Sequence, residues 1–111
     1  MTSLSLSAQG DNGRPVLALS GELDIAAVPR LREEAEGRIT AGCAALTIDL
    51  GGLTFLDSSG LGVLVELRTR ARSSGVEFEL LNVPSGPARI ISIAGLAETL
   101  GLATPEPDET S

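Results

Sequence analysis

The sequence predicts an α/β domain with a small mixed sheet of about four strands and helices packed mainly on one face. Four stretches alternate apolar and polar residues, as half-buried strands do. Helical patterns separate three of these stretches, and strand–helix–strand units favour parallel pairing with right-handed crossovers. Sheets covered on both faces have continuously apolar strands, whereas every second residue here is polar. The residues predicted to share an open face are Ser3, Ser5, Ser7, Thr47, Asp49, Glu77 and Glu79.

The apolar positions of the four stretches define the predicted strands. They are Leu4 and Leu6 in the first, Leu17 and Leu19 in the second, Leu46, Ile48 and Leu50 in the third, and Val76, Phe78 and Leu80 in the fourth. Turn-forming residues at 10–13 separate the first two strands, which predicts that these strands form a hairpin.

Helices are predicted over 28–39, 59–74 and 87–94, with a short fourth helix over 96–100. In the first, apolar residues recur at helical spacing, and a glycine at 42 is a plausible stop. The second is almost wholly apolar in its first turns, carries arginines near its end and is followed by Gly75, a typical C-terminal residue.

Length and composition indicate one domain over residues 1–103, followed by a flexible acidic tail over 104–111. The net charge of −7 argues against nucleic acid and anionic membrane surfaces as partners. Met1 to Ser7 does not resemble a signal peptide, and no apolar run is long enough for membrane insertion. With Cys43 as the single cysteine, we expect a cytoplasmic protein without an internal disulfide.

The stretch FLDSSGLG at 55–62 is the most distinctive motif, and its residues argue against catalysis. The chain has no histidine and no lysine, so it lacks the bases that activate a catalytic serine. A phosphate-binding loop needs more glycine and usually a lysine. One cysteine and scattered carboxylates make a poor metal site, so we expect no cofactor and no enzymatic activity. The simplest structural role is that Asp57 or Ser58 caps the following helix.

The segment LTIDLGGLTFLDSSGLGVLVELRTRAR at 46–72 closely resembles the signature of the STAS domain family, and in particular the anti-sigma factor antagonists. GELDIAAVPRLREEA at 21–35 and VEFELLNVPSGPARIISIAGLAETL at 76–100 extend the resemblance over nearly the whole chain. The family's domain is a small mixed sheet with helices mainly to one side, which agrees with the open polar face.

The resemblance implies a phosphorylation switch at Ser58. In the family, an anti-sigma factor that is also a GHKL-type serine kinase phosphorylates the first serine of this motif. The unphosphorylated antagonist binds that anti-sigma factor and frees the sigma factor, and a PP2C-type phosphatase resets the phosphorylated form. Carried onto this chain, the implied partner-binding residues are Asp24, Asp57, Ser58, Ser59, Gly60 and Leu61.

Two alternatives remain open from the sequence. A STAS domain can be a constitutive scaffold or accessory subunit of a stress-signalling or lipid-transport complex, which would not need reversible phosphorylation. An enzyme or nucleotide binder is disfavoured by the missing histidine and lysine. The glycines at 60 and 62 are expected to allow close backbone approach beneath the helix start.

Overall fold

A computed structural model of the protein describes residues 4–101 and contains four strands and three helices in that range. In chain order they are β1 (Ser5–Gln9), β2 (Val16–Leu23), α1 (Val28–Thr40), β3 (Ala45–Leu56), α2 (Ser58–Ser73), β4 (Glu77–Leu81) and α3 (Ser85–Ile93). The predicted tail at 104–111 and the predicted open-face residue Ser3 lie outside the described residues.

The strands form one mixed sheet in the order β1-β2-β3-β4. β1 and β2 pair antiparallel through the predicted hairpin, in which Asp11 accepts a 2.8 Å hydrogen bond from the Arg14 backbone N–H. β2, β3 and β4 are parallel, and α1 and α2 make the two crossovers. The predicted fold class is therefore confirmed.

The predicted division of the sheet into a covered and an open face is also present. All the buried Leu, Ile, Val and Ala residues of the described range except Ala45 belong, with Cys43, to one cluster, which takes in the inward positions of the strands and the inner faces of the helices. On the other face, Ser5, Ser7, Glu77 and Glu79 are exposed, and Thr47 and Asp49 are half-buried.

The predicted strand ends at Leu50, whereas β3 continues to Leu56. The prediction stops early because two irregularities interrupt the period of two on which it depends. Ala18 pairs with Asp49 while Ser20 pairs with Gly52, and Gly21 pairs with Leu53 while Glu22 pairs with Phe55. Each step inserts one extra residue into β3, as a β-bulge does. Leu50, Leu53 and Leu56 consequently all remain buried although their spacing is three residues.

Each helix ends in a hydrogen-bonded motif centred on a glycine with positive φ. After α2, the Gly75 N–H donates to Arg72 O at 3.1 Å and the Val76 N–H donates to Ala71 O at 2.8 Å. This pattern is a Schellman motif, and the φ of +74° at Gly75 is the backbone conformation it requires. The predicted stop at this glycine is confirmed.

The predicted fourth helix at 96–100 is wrong. The segment forms a hydrogen-bonded turn, in which the Leu100 N–H donates to Leu96 O at 2.9 Å. The apolar spacing that suggested a helix has another cause, since Ala97 and Leu100 both pack into the core from this turn. One helical turn that is not continued satisfies that burial.

Candidate functional site

The candidate site lies where β2 and β3 end side by side. Leu23 and Leu56 are the last residues of these two strands and are paired in the parallel register. Asp24 and Asp57 are the next residues along each chain segment, so the two acidic residues lie at the same end of the sheet. The sequence motifs GELD and FLDSSGLG are thereby brought together.

Of the two predicted cap residues, Asp57 and Ser58, it is Asp57 that forms the N-cap of α2. Its backbone is extended, and its Oδ1 accepts a 3.0 Å hydrogen bond from the Gly60 backbone N–H. Such a cap satisfies one of the backbone donors that an α-helix leaves unpaired at its start. The cap places Ser58 at the first position of the helix, one residue before the predicted start.

Asp24 orders the loop that leads into α1. The Ala27 N–H approaches both the Asp24 carbonyl oxygen at 3.0 Å and its Oδ1 at 3.2 Å. This arrangement forms a tight turn directly after β2 and leaves Asp24 half-buried. The next residue, Ile25, is 72% exposed, which is unusual for so large an apolar side chain.

The end of β2 is packed tightly against the start of α2 at Gly60. A Cβ added to Gly60 would collide with the Leu23 carbonyl oxygen and would lie 2.8 Å from Leu56 Cδ1. The expected close approach at this glycine is confirmed. The same expectation for Gly62 is wrong, because a Cβ there would have nothing within 4 Å.

The remaining predicted site residues differ in their exposure to solvent. Ser58 is exposed and Ser59 is half-buried, so the Ser58 side chain is the more accessible of the two. Gly60 is buried, and Leu61 is 7% exposed and belongs to the core cluster. Gly60 and Leu61 therefore hold the helix start in place from below.

An exposed apolar residue also lies on each of the two segments that meet at this end of the sheet. Phe55, at 46% exposure, precedes the FLDSSGLG motif's aspartate by two residues, and Ile25 follows Asp24. Sequence reasoning did not select either residue, because an isolated apolar side chain next to a strand end looks like core. The available signal was Phe55 itself, one of only two aromatic residues in the chain.

No group of three potential ligands among His, Cys, Asp and Glu is placed to hold a metal ion within residues 4–101. Cys43 is buried in the core cluster. None of the helices in the described part of the chain is long and apolar enough to cross a membrane.

Comparison with known proteins identifies the family. The family model described as "Mlab, STAS domain" matches residues 6–103. The chain belongs to the STAS domain family.

Similar proteins are named anti-sigma factor antagonists, the class that the sequence motifs resemble. The chain is 35% identical over 101 residues to the anti-sigma-F factor antagonist RsfB of Mycobacterium tuberculosis, covering 90% of this chain and 81% of RsfB. It is 31% identical over 85 residues to the anti-sigma-B factor antagonist of Bacillus subtilis, covering 77% of each protein.

Solved structures agree with this assignment of the STAS fold. An anti-sigma factor antagonist from Mycobacterium paratuberculosis has a TM-score of 0.76 at 26% identity, over 97% of this chain and 92% of that one. The phosphorylated form of the Bacillus cell fate determinant SpoIIAA has a TM-score of 0.69 at 26% identity, over 94% of each chain.

Proposed function

We propose that this STAS domain is an anti-sigma factor antagonist switched by phosphorylation of Ser58. In the unphosphorylated form it binds an anti-sigma factor that is also a GHKL-type serine kinase, and so frees a sigma factor. Phosphorylation releases it, and a PP2C-type phosphatase restores the binding form. The observation that carries the proposal is an exposed Ser58 immediately after a capping aspartate, at the end of the sheet where Asp24 and Ile25 also lie.

Ser58 has the surroundings of a substrate hydroxyl. The neighbouring Asp57 Oδ1 is engaged with the Gly60 N–H, and the chain has no histidine or lysine that could act as a base. A serine activated within its own protein needs such a base in hydrogen-bond reach. An external kinase would supply that base together with the phosphate donor.

The charge of a phosphate would act mainly on the partner. It would add about 1.5 to 2 negative charges at neutral pH, next to Asp57 and at the same end of the sheet as Asp24. A helix N-terminus tolerates an anion, because its unpaired N–H groups and dipole are favourable to negative charge. We therefore expect the fold to persist and the docked complex to dissociate, since burying that charge in an interface is costly.

Apolar side chains at the same end of the sheet would supply the rest of the interface. Ile25 is 72% and Phe55 46% exposed, and the anchors of protein interfaces are commonly large apolar or aromatic residues ringed by polar ones. The proposed phosphorylation is supported by a relative, because SpoIIAA has been solved in both unphosphorylated and phosphorylated forms.

The first experiment is intact-mass and peptide mass spectrometry of the protein purified from its native cells. We expect one phosphate mapped to Ser58, absent from Ser58→Ala and retained in Ser59→Ala. Immobilised Ser58→Ala should retain the anti-sigma kinase from the same cells, whereas Ser58→Asp should lose it. A protein free of phosphate under every growth condition would contradict the switch and leave a constitutive scaffold; a phosphate on Ser59 would move the switch to that residue.

A further inference from the structure

A second surface feature lies at the other end of the sheet from Ser58. An open groove of about 690 Å³ lies where β2, β3 and β4 begin and extends from Val16, Ala45 and Thr47 to β4. Its lining includes Arg68 and Arg72 from α2 and Glu77, Phe78 and Glu79 from β4. Nothing in the proposed switch uses these residues.

The backbone of β4 is available at this groove. β4 is at the edge of the sheet, and no other strand of residues 4–101 pairs with its outer side. The Glu77 N–H donates to Ala44 O at 3.1 Å, so Glu77 and the alternate residues after it direct their backbone groups toward β3. Phe78 and Leu80 therefore present their N–H and C=O groups to the open edge.

The two sides of this edge carry opposite charge. Arg68 and Arg72 extend from α2, which lies on the covered face, and among the described residues neither takes part in an ion pair. Glu77 and Glu79 alternate with the core-facing residues of β4, so they lie on the open face, and both are exposed.

We propose that the β4 edge binds an extended segment of a partner protein as an additional strand. Strand addition uses backbone hydrogen bonds for affinity and alternate side chains for specificity. Side chains of the added strand that point to the covered face would meet Arg68 and Arg72, and those on the open face would meet Glu77 and Glu79. The segment that fits is therefore one in which acidic and basic residues alternate.

A second copy of this chain does not fit the same edge. Antiparallel pairing of two β4 strands into one continuous sheet would place the glutamates of both copies next to each other on the open face. Like charges directly opposite each other destabilise a strand pair. The charge pattern thus favours a different protein, with basic residues opposite Glu77 and Glu79.

The test is an NMR titration of the isotope-labelled full chain with a short, end-capped peptide of alternating glutamate and lysine. We expect the largest shifts at the Phe78 and Leu80 amides and at the Arg68 and Arg72 side-chain N–H groups. Two control peptides keep the same composition: one has its glutamates and lysines in separate blocks, and the other carries N-methyl groups on two adjacent central residues. Adjacent residues point to opposite edges of a strand, so the N-methyl groups block pairing on both sides.

Both controls should bind at least about fivefold more weakly than the alternating peptide, because each loses either the charge match or the backbone bonds. Equal binding by the block or N-methylated peptide would reduce the site to nonspecific charge attraction and overturn the proposal. The absence of shifts along β4 with the alternating peptide would also overturn it.

A matched pair of variants locates the site. Arg72→Glu should weaken binding of the alternating peptide by about fivefold or more, whereas Arg89→Glu, an equal charge change at an exposed position on α3, should not. The amide spectrum of each unbound variant reports whether the fold is intact. An equal loss in both variants would show that net charge alone governs binding, against the proposal.

Discussion

Gly60 and Gly62 are two residues apart on α2, yet their surroundings differ completely. Adding a methyl group at Gly60 would force it into the Leu23 carbonyl oxygen and within 2.8 Å of Leu56, whereas Gly62 is exposed with open space around it. The backbone oxygen cannot move without disturbing the end of β2. Gly60 is thus the residue that sets the distance between the two halves of the candidate site.

We predict opposite effects for the two alanine variants. Gly60→Ala should lower the free energy of unfolding by about 2 kcal/mol or more through overpacking. Gly62→Ala should raise it by about 0.5–1 kcal/mol, since alanine is the better helix former. Chemical denaturation followed by circular dichroism measures both. Equal effects of the two substitutions would show that the close contact at Gly60 is not rigid.

At the scale of single residues, the sequence was sufficient to predict the cap and the close contact at Gly60, but not to distinguish Gly60 from Gly62. The cap could be narrowed to Asp57 or Ser58, because aspartate and serine are typical cap residues before an apolar helical stretch. The difference between Gly60 and Gly62 could not be predicted, because both are glycines near the start of the same predicted helix. It depends on Leu23, which comes from a strand far earlier in the chain.

At the scale of secondary-structure elements, α1 and α2 are joined by two ion pairs, Arg32–Glu66 and the longer Arg70–Glu36 at 3.2 Å. Arg32 donates two hydrogen bonds to Glu66, at 2.8 and 2.9 Å. The hydrogen bond from Arg32, together with its positive charge, holds the pKa of the Glu66 carboxyl below its usual value. The same hydrogen bond raises the pKa of the Arg32 guanidinium.

The Glu66 pKa gives the stabilisation a defined pH dependence. The folded carboxyl takes up its proton at a lower pH than the unfolded one, so the stabilisation is present at neutral pH and is lost as the pH falls through the lowered pKa. Glu66→Gln should be slightly less stable than the parent at neutral pH, and the gap should close on acidification. Both side chains are partly exposed, so the effect should be small.

The control for this pair is Glu33→Gln, an exposed glutamate on α1 outside the ion pairs of the described residues. Thermal unfolding of the three proteins across a pH series gives the comparison. A gap between parent and Glu66→Gln that stays constant down to acidic pH would contradict an ionic origin.

Elements were predictable from the sequence where their period was uninterrupted. The alternation in β1, β2 and β4 and the glycines after α1 and α2 fixed those elements to within a few residues. β3 could be predicted only as far as Leu50, because the extra residues that follow break the period of two. The segment after α3 has helical spacing for one turn only, which is too short for its pattern to distinguish a turn from a helix.

At the scale of the whole molecule, one aliphatic core stabilises the fold. The core cluster of the described range consists of buried Leu, Ile, Val and Ala with Cys43, and Phe78 packs against it only partly buried. Within that range no polar or charged side chain is buried. A single core of this kind predicts cooperative, two-state unfolding.

Substitutions in and outside this core should differ sharply. Leu64 is fully buried, so Leu64→Ala should cost about 2–5 kcal/mol of stability. Ile93 is 78% exposed, and Ile93→Ala should change stability by about 0.5 kcal/mol or less. The chain has no tryptophan or tyrosine, so circular dichroism and NMR are the suitable probes. Transitions that differ between these probes would contradict a single cooperative core.

The irregularities of β3 also determine where this fold can change length during evolution. Gly51 and Thr54 occupy the places where β3 has one residue more than β2 requires. Losing either residue would remove one irregularity and leave the leucines pointing inward, whereas losing Ile48 would turn the following side chains to the opposite face. Single-residue deletions among STAS relatives should therefore cluster at these two positions and be absent from the first half of the strand.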